Sequence, residues 1–197
     1  MPDLITLPDL TYTQVKELLI SWGEPPFRAD QLWRWLYCSL VEDFQAMRNL
    51  PQGLRHRLSQ ATRLWTLHPL AESVSADGLT RKILFALQDG QTIESVEMHY
   101  ESRHTVCLSS QVGCALGCPF CATGQSGLVR NLTAGEIVEQ VVFFAHRLQA
   151  KGEKVDNVVI MGMGEPLANY AAVWQALETL NDHRGFNLGA RRLTIST

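Results

Sequence analysis

The chain has 197 residues, 46% of them hydrophobic and 19% charged, enough to bury the core of one domain or two. No stretch approaches the ~20 apolar residues of a membrane span, and Met1-Pro2-Asp3-Leu4 lacks the basic start of a secretory signal. A net charge of −3 gives no global attraction to nucleic acid, so any such contact falls to a local patch; five cysteines make no even disulfide framework and point to a reducing, cytoplasmic setting.

Thr11 to Trp22 sets Val15, Leu18, Leu19 and Trp22 at helical spacing, and Gly23 with Pro25 and Pro26 stops it. A second amphipathic stretch, Phe27 to Leu40, presents Leu32, Trp33, Leu36 and Tyr37. Phe44 to Ala71 has no acidic residue but carries Arg48, Arg55, Arg57 and Arg63. Such a stretch could track a phosphate backbone or form an ordinary solvated helix face. From about Leu70 the period changes. Lys82 to Gln88 and Thr92 to His99, joined at Asp89-Gly90, predict a β-hairpin, and alternation in its second arm puts Glu94 and His99 on opposite faces. Thr105 to Ser110 predicts a strand leading into a cysteine-rich loop.

Thr133-Ala-Gly-Glu136 is a capping box, and Ile137, Val138, Val141, Val142, Ala145 and Leu148 form one apolar stripe that ends near Lys151-Gly152. Val155 to Met161 is a β-branched run that reads as a buried parallel strand, with Met161 and Met163 read as core. A Gly162-Met-Gly-Glu-Pro166 loop follows, then a helix from about Tyr170 to Leu180 and a last strand, Arg192 to Thr197. Strand, helix, strand, helix, strand predicts a parallel α/β sheet. Because the chain stops inside a strand, we expect the front part of a longer protein or a shortened relative of one.

The run Cys114-Ala-Leu-Gly-Cys118-Pro-Phe-Cys121 carries the chemistry. Three thiolates so close can hold three irons of a cubane cluster and leave the fourth iron open to a substrate. A structural zinc site is the alternative, but it wants four closed ligands in paired short spacings. Here the second pair is missing, and Cys107 and His104 are the only nearby candidates for a fourth ligand. The spacing is the signature of radical S-adenosylmethionine (SAM) enzymes.

Two longer stretches, Cys107-Leu-Ser-Ser-Gln-Val-Gly-Cys114 and Val158-Val-Ile-Met-Gly-Met-Gly-Glu-Pro-Leu-Ala-Asn169, resemble the RlmN/Cfr family of radical SAM RNA methyltransferases. So do Phe27-Arg-Ala-Asp-Gln-Leu-Trp-Arg-Trp-Leu-Tyr37 and Asp89-Gly90 with Ile93-Glu-Ser-Val-Glu97, the latter more like the RlmN than the Cfr branch. The resemblance implies a partial radical SAM (β/α)6 barrel, about its first three β/α units, over residues 103–197. Ahead of it come a helical accessory domain over 1–70 and a β-hairpin region over 71–102.

It also implies a 4Fe–4S cluster and SAM as cofactors, and methylation of adenine carbon 2 in 23S rRNA and in tRNA. That carbon is electron-poor and has no lone pair, so polar methyl transfer fails and a radical is needed. In the family the methyl group rides on one cysteine, and a second cysteine releases the product as a disulfide forms. By this resemblance Cys114, Cys118 and Cys121 ligate the cluster, Cys107 is the resolving cysteine, and Glu97 is the carboxylate that takes the carbon-2 proton. Gly164 and Glu165 meet the SAM amino group, and Ser196 touches SAM. The implied partners are the RNA and a reductant such as flavodoxin or ferredoxin, for a monomer. No cysteine follows Cys121, so the methyl-carrying thiol is absent, and these residues alone are expected to bind a cluster weakly and not to complete methyl transfer. The competing readings are a Cfr-like carbon-8 methyltransferase, a radical SAM enzyme acting on another protein or a small molecule, and a non-catalytic RNA-binding fragment.

Overall fold

The computed structural model describes residues 4–197; Met1 to Asp3, which enter the targeting-signal reading, lie outside the described residues. A short strand β1 (Ile5–Thr6) leads into three helices: α1 (Tyr12–Ser21), α2 (Phe27–Tyr37) and α3 (Gln52–Ala61). Thr11 and Gln14 form a capping box that starts α1. Leu19, Leu32, Trp33, Leu36 and Leu58 are buried between the helices. Strand β2 (Thr62–Arg63) closes this unit by pairing parallel to β1. Two of the arginines in the acid-free stretch work inside it. Arg55 donates to the Gln45 carbonyl, and Arg57 donates to the Trp22 carbonyl while lying over its ring.

The chain then builds a meander: β3 (His68–Val74), β4 (Thr80–Ala86), β5 (Thr92–Tyr100) and β6 (Arg103–Leu108), each antiparallel to the last. The hairpin arms lie where the period of two put them, but a third strand, β3, precedes them. All its residues are exposed, so it carries no alternation of apolar side chains from which it could be read. After a small ribbon of β7 (Gln111–Gly113) and β8 (Leu128–Asn131), with α4 (Ala122–Gln125) between them, comes the long helix α5 (Ala134–Gln149). Strand β9 (Asn157–Ile160), helix α6 (Tyr170–Asn181) and strand β10 (Leu193–Ile195) complete the chain. The main sheet runs β10-β9-β6-β5-β4-β3, with β6, β9 and β10 parallel, so the meander is continuous with the α/β part.

Two faces of this sheet differ sharply. Ile83, Phe85, Ile93, Val106, Leu108, Val158 and Ile160 are buried on one side, where α5 lies on the sheet with α6 packed against it. Full burial of each such side chain stabilises by about 1.5–3 kcal/mol relative to exposure. The helical unit packs on the same side. Asp9 accepts from the Gly135 amide, and the buried Glu139 of α5 accepts from the Thr66 and Leu67 amides. The two parts therefore share one continuous core. On the opposite face the side chains of Leu84, Val96, Cys107 and Val159 are all only half-buried.

Candidate active site

Cross-strand pairing decides which side chains share the open face. Cys107 is opposite Val96 on β5 and Val159 on β9, and Val159 is in turn opposite Thr194 on β10. Residues directly paired point to the same side, so Glu94, Val96, Thr105, Cys107, Val159 and Thr194 line one surface. Cys107 is half-buried there, and burial pushes its thiol pKa up, partly offset by a backbone bond from Met161, so it stays a thiol at neutral pH. Met161 is 52% exposed at the top of this surface, not a core residue as the sequence suggested. The apolar run simply continues past the last helix-covered position. Met163 does pack against the core.

At the carboxyl end of β6 and β9, two loops interlock. The Ser110 and Gln111 amides donate to the Met163 carbonyl at 2.8 and 3.2 Å, and the Met163 amide donates to Ser109 Oγ at 2.9 Å. The Asn169 side chain donates to the Ser110 and Leu132 carbonyls, both at 2.8 Å. Glycine is required at two points. A Cβ on Gly162 would stand 2.7 Å from the Leu108 carbonyl oxygen, and one on Gly164, at φ +99°, would stand 2.5 Å from Gln111 Cβ. Glu165 caps the turn that follows by accepting from the Leu167 amide at 3.2 Å, and it also accepts from the Thr197 hydroxyl at 2.6 Å. Ser196 is exposed beside it, its amide donating to the Ile160 carbonyl at 3.3 Å. Gly164, Glu165 and Ser196 are thus gathered at one end of the open face.

The three cysteines occupy the loop that leaves β7. Cys114 is buried with its amide on the Gly127 carbonyl at 3.0 Å, and Cys118 and Cys121 are half-buried and tied by a 3.0 Å bond from the Cys121 amide to the Cys118 carbonyl. Among the described residues, no three His, Cys, Asp or Glu side chains are drawn together as a ready metal-binding group. The donor chemistry nevertheless fits an iron–sulfur cluster. Between Cys114 and Gly127 there is no carboxylate, imidazole or cation, only thiols among apolar and uncharged polar residues, which suits soft metal centres. Phe120 at the tip is 90% exposed. His104 is no fourth ligand. Its ring lies on the helix-covered side, within 2.9 Å of Glu97 and 3.4 Å of Glu153.

That side also holds Glu97, which departs from the expected role. Glu97 is paired with Val106 and lies two residues from Ser95, whose hydroxyl reaches Gln140 of α5. It therefore points away from Cys107. The carboxylate on the Cys107 side is Glu94, half-exposed and 2.9 Å from Lys82. Alternation alone separated Glu94 from His99; choosing between Glu94 and Glu97 needed the register against Cys107, which the sequence does not state. An apolar cavity of about 340 Å³ between Leu40, Trp65 and Phe143 lies against α5 and takes no part in this surface.

A sheet whose parallel strands open toward a three-thiol loop at their carboxyl end defines a radical SAM protein. Residues 108–197 match the model of the Radical SAM superfamily, and residues 5–64 match that of the ribosomal RNA large subunit methyltransferase N-terminal domain. The chain belongs to the RlmN family of radical SAM RNA methyltransferases. It is 50% identical over 194 residues to the probable dual-specificity RNA methyltransferase RlmN of Chloroflexus aurantiacus, with 96% of this chain and 51% of the relative covered. It is 45% identical over 196 residues to the protein of the same name from Geobacillus kaustophilus, covering 100% of this chain and 53% of that one. A crystal structure of a radical SAM methyltransferase from Sphaerobacter thermophilus superposes with a TM-score of 0.94 at 49% identity, over 98% of this chain and 57% of that one. The chain spans about half the length of the curated relatives it matches. Membership implies a 4Fe–4S cluster and SAM as cofactors. Among the described residues, no helix is long and apolar enough to cross a membrane.

Proposed function

We propose that this chain is the cofactor-binding half of an enzyme that methylates carbon 2 of adenine in 23S rRNA and in tRNA. The observation that carries the reading is that Cys107 lies on the open sheet face, on the strand that runs through β7 into the loop of Cys114, Cys118 and Cys121. The three clustered thiols are assigned to the cluster. When bound, a reduced cluster supplies the electron that cleaves SAM and so the radical chemistry that an electron-poor carbon requires. Gly164, with Gln111 packed where its side chain would be, shapes the turn that meets the SAM amino group, Glu165 offers that ammonium a carboxylate, and Ser196 offers a hydroxyl beside it. Cys107 is assigned as the thiol that attacks the methyl-carrying sulfur to form a disulfide and free the base. The carbon-2 proton needs a carboxylate on the same face, and Glu94 meets that requirement where Glu97 does not.

The methyl-carrying thiol is not among these residues. Cys38 does not substitute for it, since its thiol is directed at the Gly185 carbonyl in the loop after α6. Complete turnover is therefore assigned to a protein of the relatives' full length, about half of which this chain matches. Five free cysteines support a cytoplasmic, reducing setting, and we read the enzyme as a monomer supplied by a flavodoxin- or ferredoxin-type reductant.

The test is product analysis. The complete protein, reconstituted anaerobically with iron and sulfide and given SAM and reductant, is incubated with an rRNA fragment or tRNA, followed by nuclease digestion and mass spectrometry. Methyl at adenine carbon 2 is expected. Methyl at carbon 8, or none with an intact cluster, would overturn the assignment.

A further inference from the structure

The two loops that the proposed function assigns to the cluster and to SAM meet at one buried side chain. Gln111 is 1% exposed, starts β7 and stands three residues before Cys114. Its Oε1 accepts from the Glu165 amide at 2.7 Å, and its Nε2 donates to Asn131 Oδ1 on β8 at 2.7 Å. Its backbone amide reaches the Met163 carbonyl, and its Cβ and Cγ fill the space that the absent side chain of Gly164 leaves. Both polar ends of the side chain are thus used, one on each loop, and a buried amide whose acceptor is removed stays unpaired.

We infer that Gln111 is a positioning residue: it locks the Glu165 loop to the base of the cysteine loop, so the amino-group site for SAM is held in register with the cluster. The inference rests on the cofactor assignment above and deepens it. Because Asn131 can turn its amide to donate, Gln111→Glu keeps an acceptor for the Glu165 amide and a partner on β8. Gln111→Ala keeps neither.

The first measurement is amide hydrogen exchange on the apoprotein, which needs no cofactor. In Gln111→Ala the Glu165 amide is expected to exchange about tenfold faster, the loss of one net hydrogen bond, and Gln111→Glu is expected to restore most of the protection. The second uses the complete protein reconstituted anaerobically, with iron and sulfide content, the reduced-cluster EPR signal and SAM affinity by equilibrium dialysis. Gln111→Ala is expected to keep its iron and its EPR signal while binding SAM about tenfold more weakly, with Gln111→Glu near the parent. Unchanged SAM affinity in Gln111→Ala, or loss of iron in step with loss of SAM, would overturn the inference alone. A parent protein that holds no cluster, or whose cluster does not respond to SAM, would overturn the cofactor assignment and the inference with it.

Discussion

Glu94 and Glu97 are three residues apart on one strand and face opposite ways, and their surroundings suit opposite tasks. Glu97 is enclosed with His104 and Arg81 on the helix-covered side, while Glu94 shares the open face with Cys107. In the complete protein, Glu94→Gln should lower the rate of carbon-2 methylation at least about a hundredfold, as loss of a general base does. Glu97→Gln should leave that rate within a few-fold and cost about 1 kcal/mol of stability through its hydrogen bond to His104. Initial rates on an rRNA fragment and urea midpoints of the two variants check this, and the reverse ranking would return the role to Glu97. The three-thiol loop was fully legible from the sequence because its spacing is local. The carboxylate was not, because strand register is a long-range property: one residue of slip exchanges the two faces.

The elements themselves were read well wherever they carry their own start signal. Thr133 accepts from the Glu136 amide while the Glu136 side chain accepts from the Thr133 amide, and Arg130 clamps the same carboxylate with two bonds of 2.8 Å. Thr133→Ala should destabilise the protein by about 1 kcal/mol, read as a lower thermal midpoint with the spectrum of the folded state unchanged. What sequence periodicity could not reveal is how loops lock to one another. Gly162 has ordinary backbone angles, so no turn signal marks it; its demand is the Leu108 carbonyl 2.7 Å from where a Cβ would sit. Gly162→Ala should therefore force the β9 loop off the end of β6 and cost about 1–3 kcal/mol. Urea unfolding measures the loss, and a variant as stable as the parent would show that the loop yields freely.

At the scale of the molecule, the helical unit and the sheet are joined through a buried carboxylate. Glu139 is 3% exposed, and burial pushes its pKa up to about 7 despite the Thr66 and Leu67 amides and the Thr66 hydroxyl that favour its charged form. An acid whose pKa is higher in the folded than in the unfolded state holds its proton longer when folded, so its contribution is complete below the ordinary carboxylate range and is lost as pH rises toward and past 7. Stability should fall between pH 5 and pH 8 by up to a few kcal/mol. Glu139→Gln, which mimics the protonated form against the same three donors, should flatten that slope. Urea unfolding at both pH values tests it; an equal slope in both proteins would assign the dependence elsewhere. The unbroken join between meander and parallel strands also has a consequence in time. Strands β3, β4 and β5 pair only with sequence neighbours, whereas β9 must return past α5 to reach β6. Contacts local in sequence form sooner than those that close long loops, and synthesis releases the amino end first. The meander should therefore be a finished ledge before Cys121 leaves the ribosome, and pulse-labelled exchange during refolding should protect β4 and β5 ahead of β9 and β10. The thiols would then emerge onto a surface already built, rather than having to organise one.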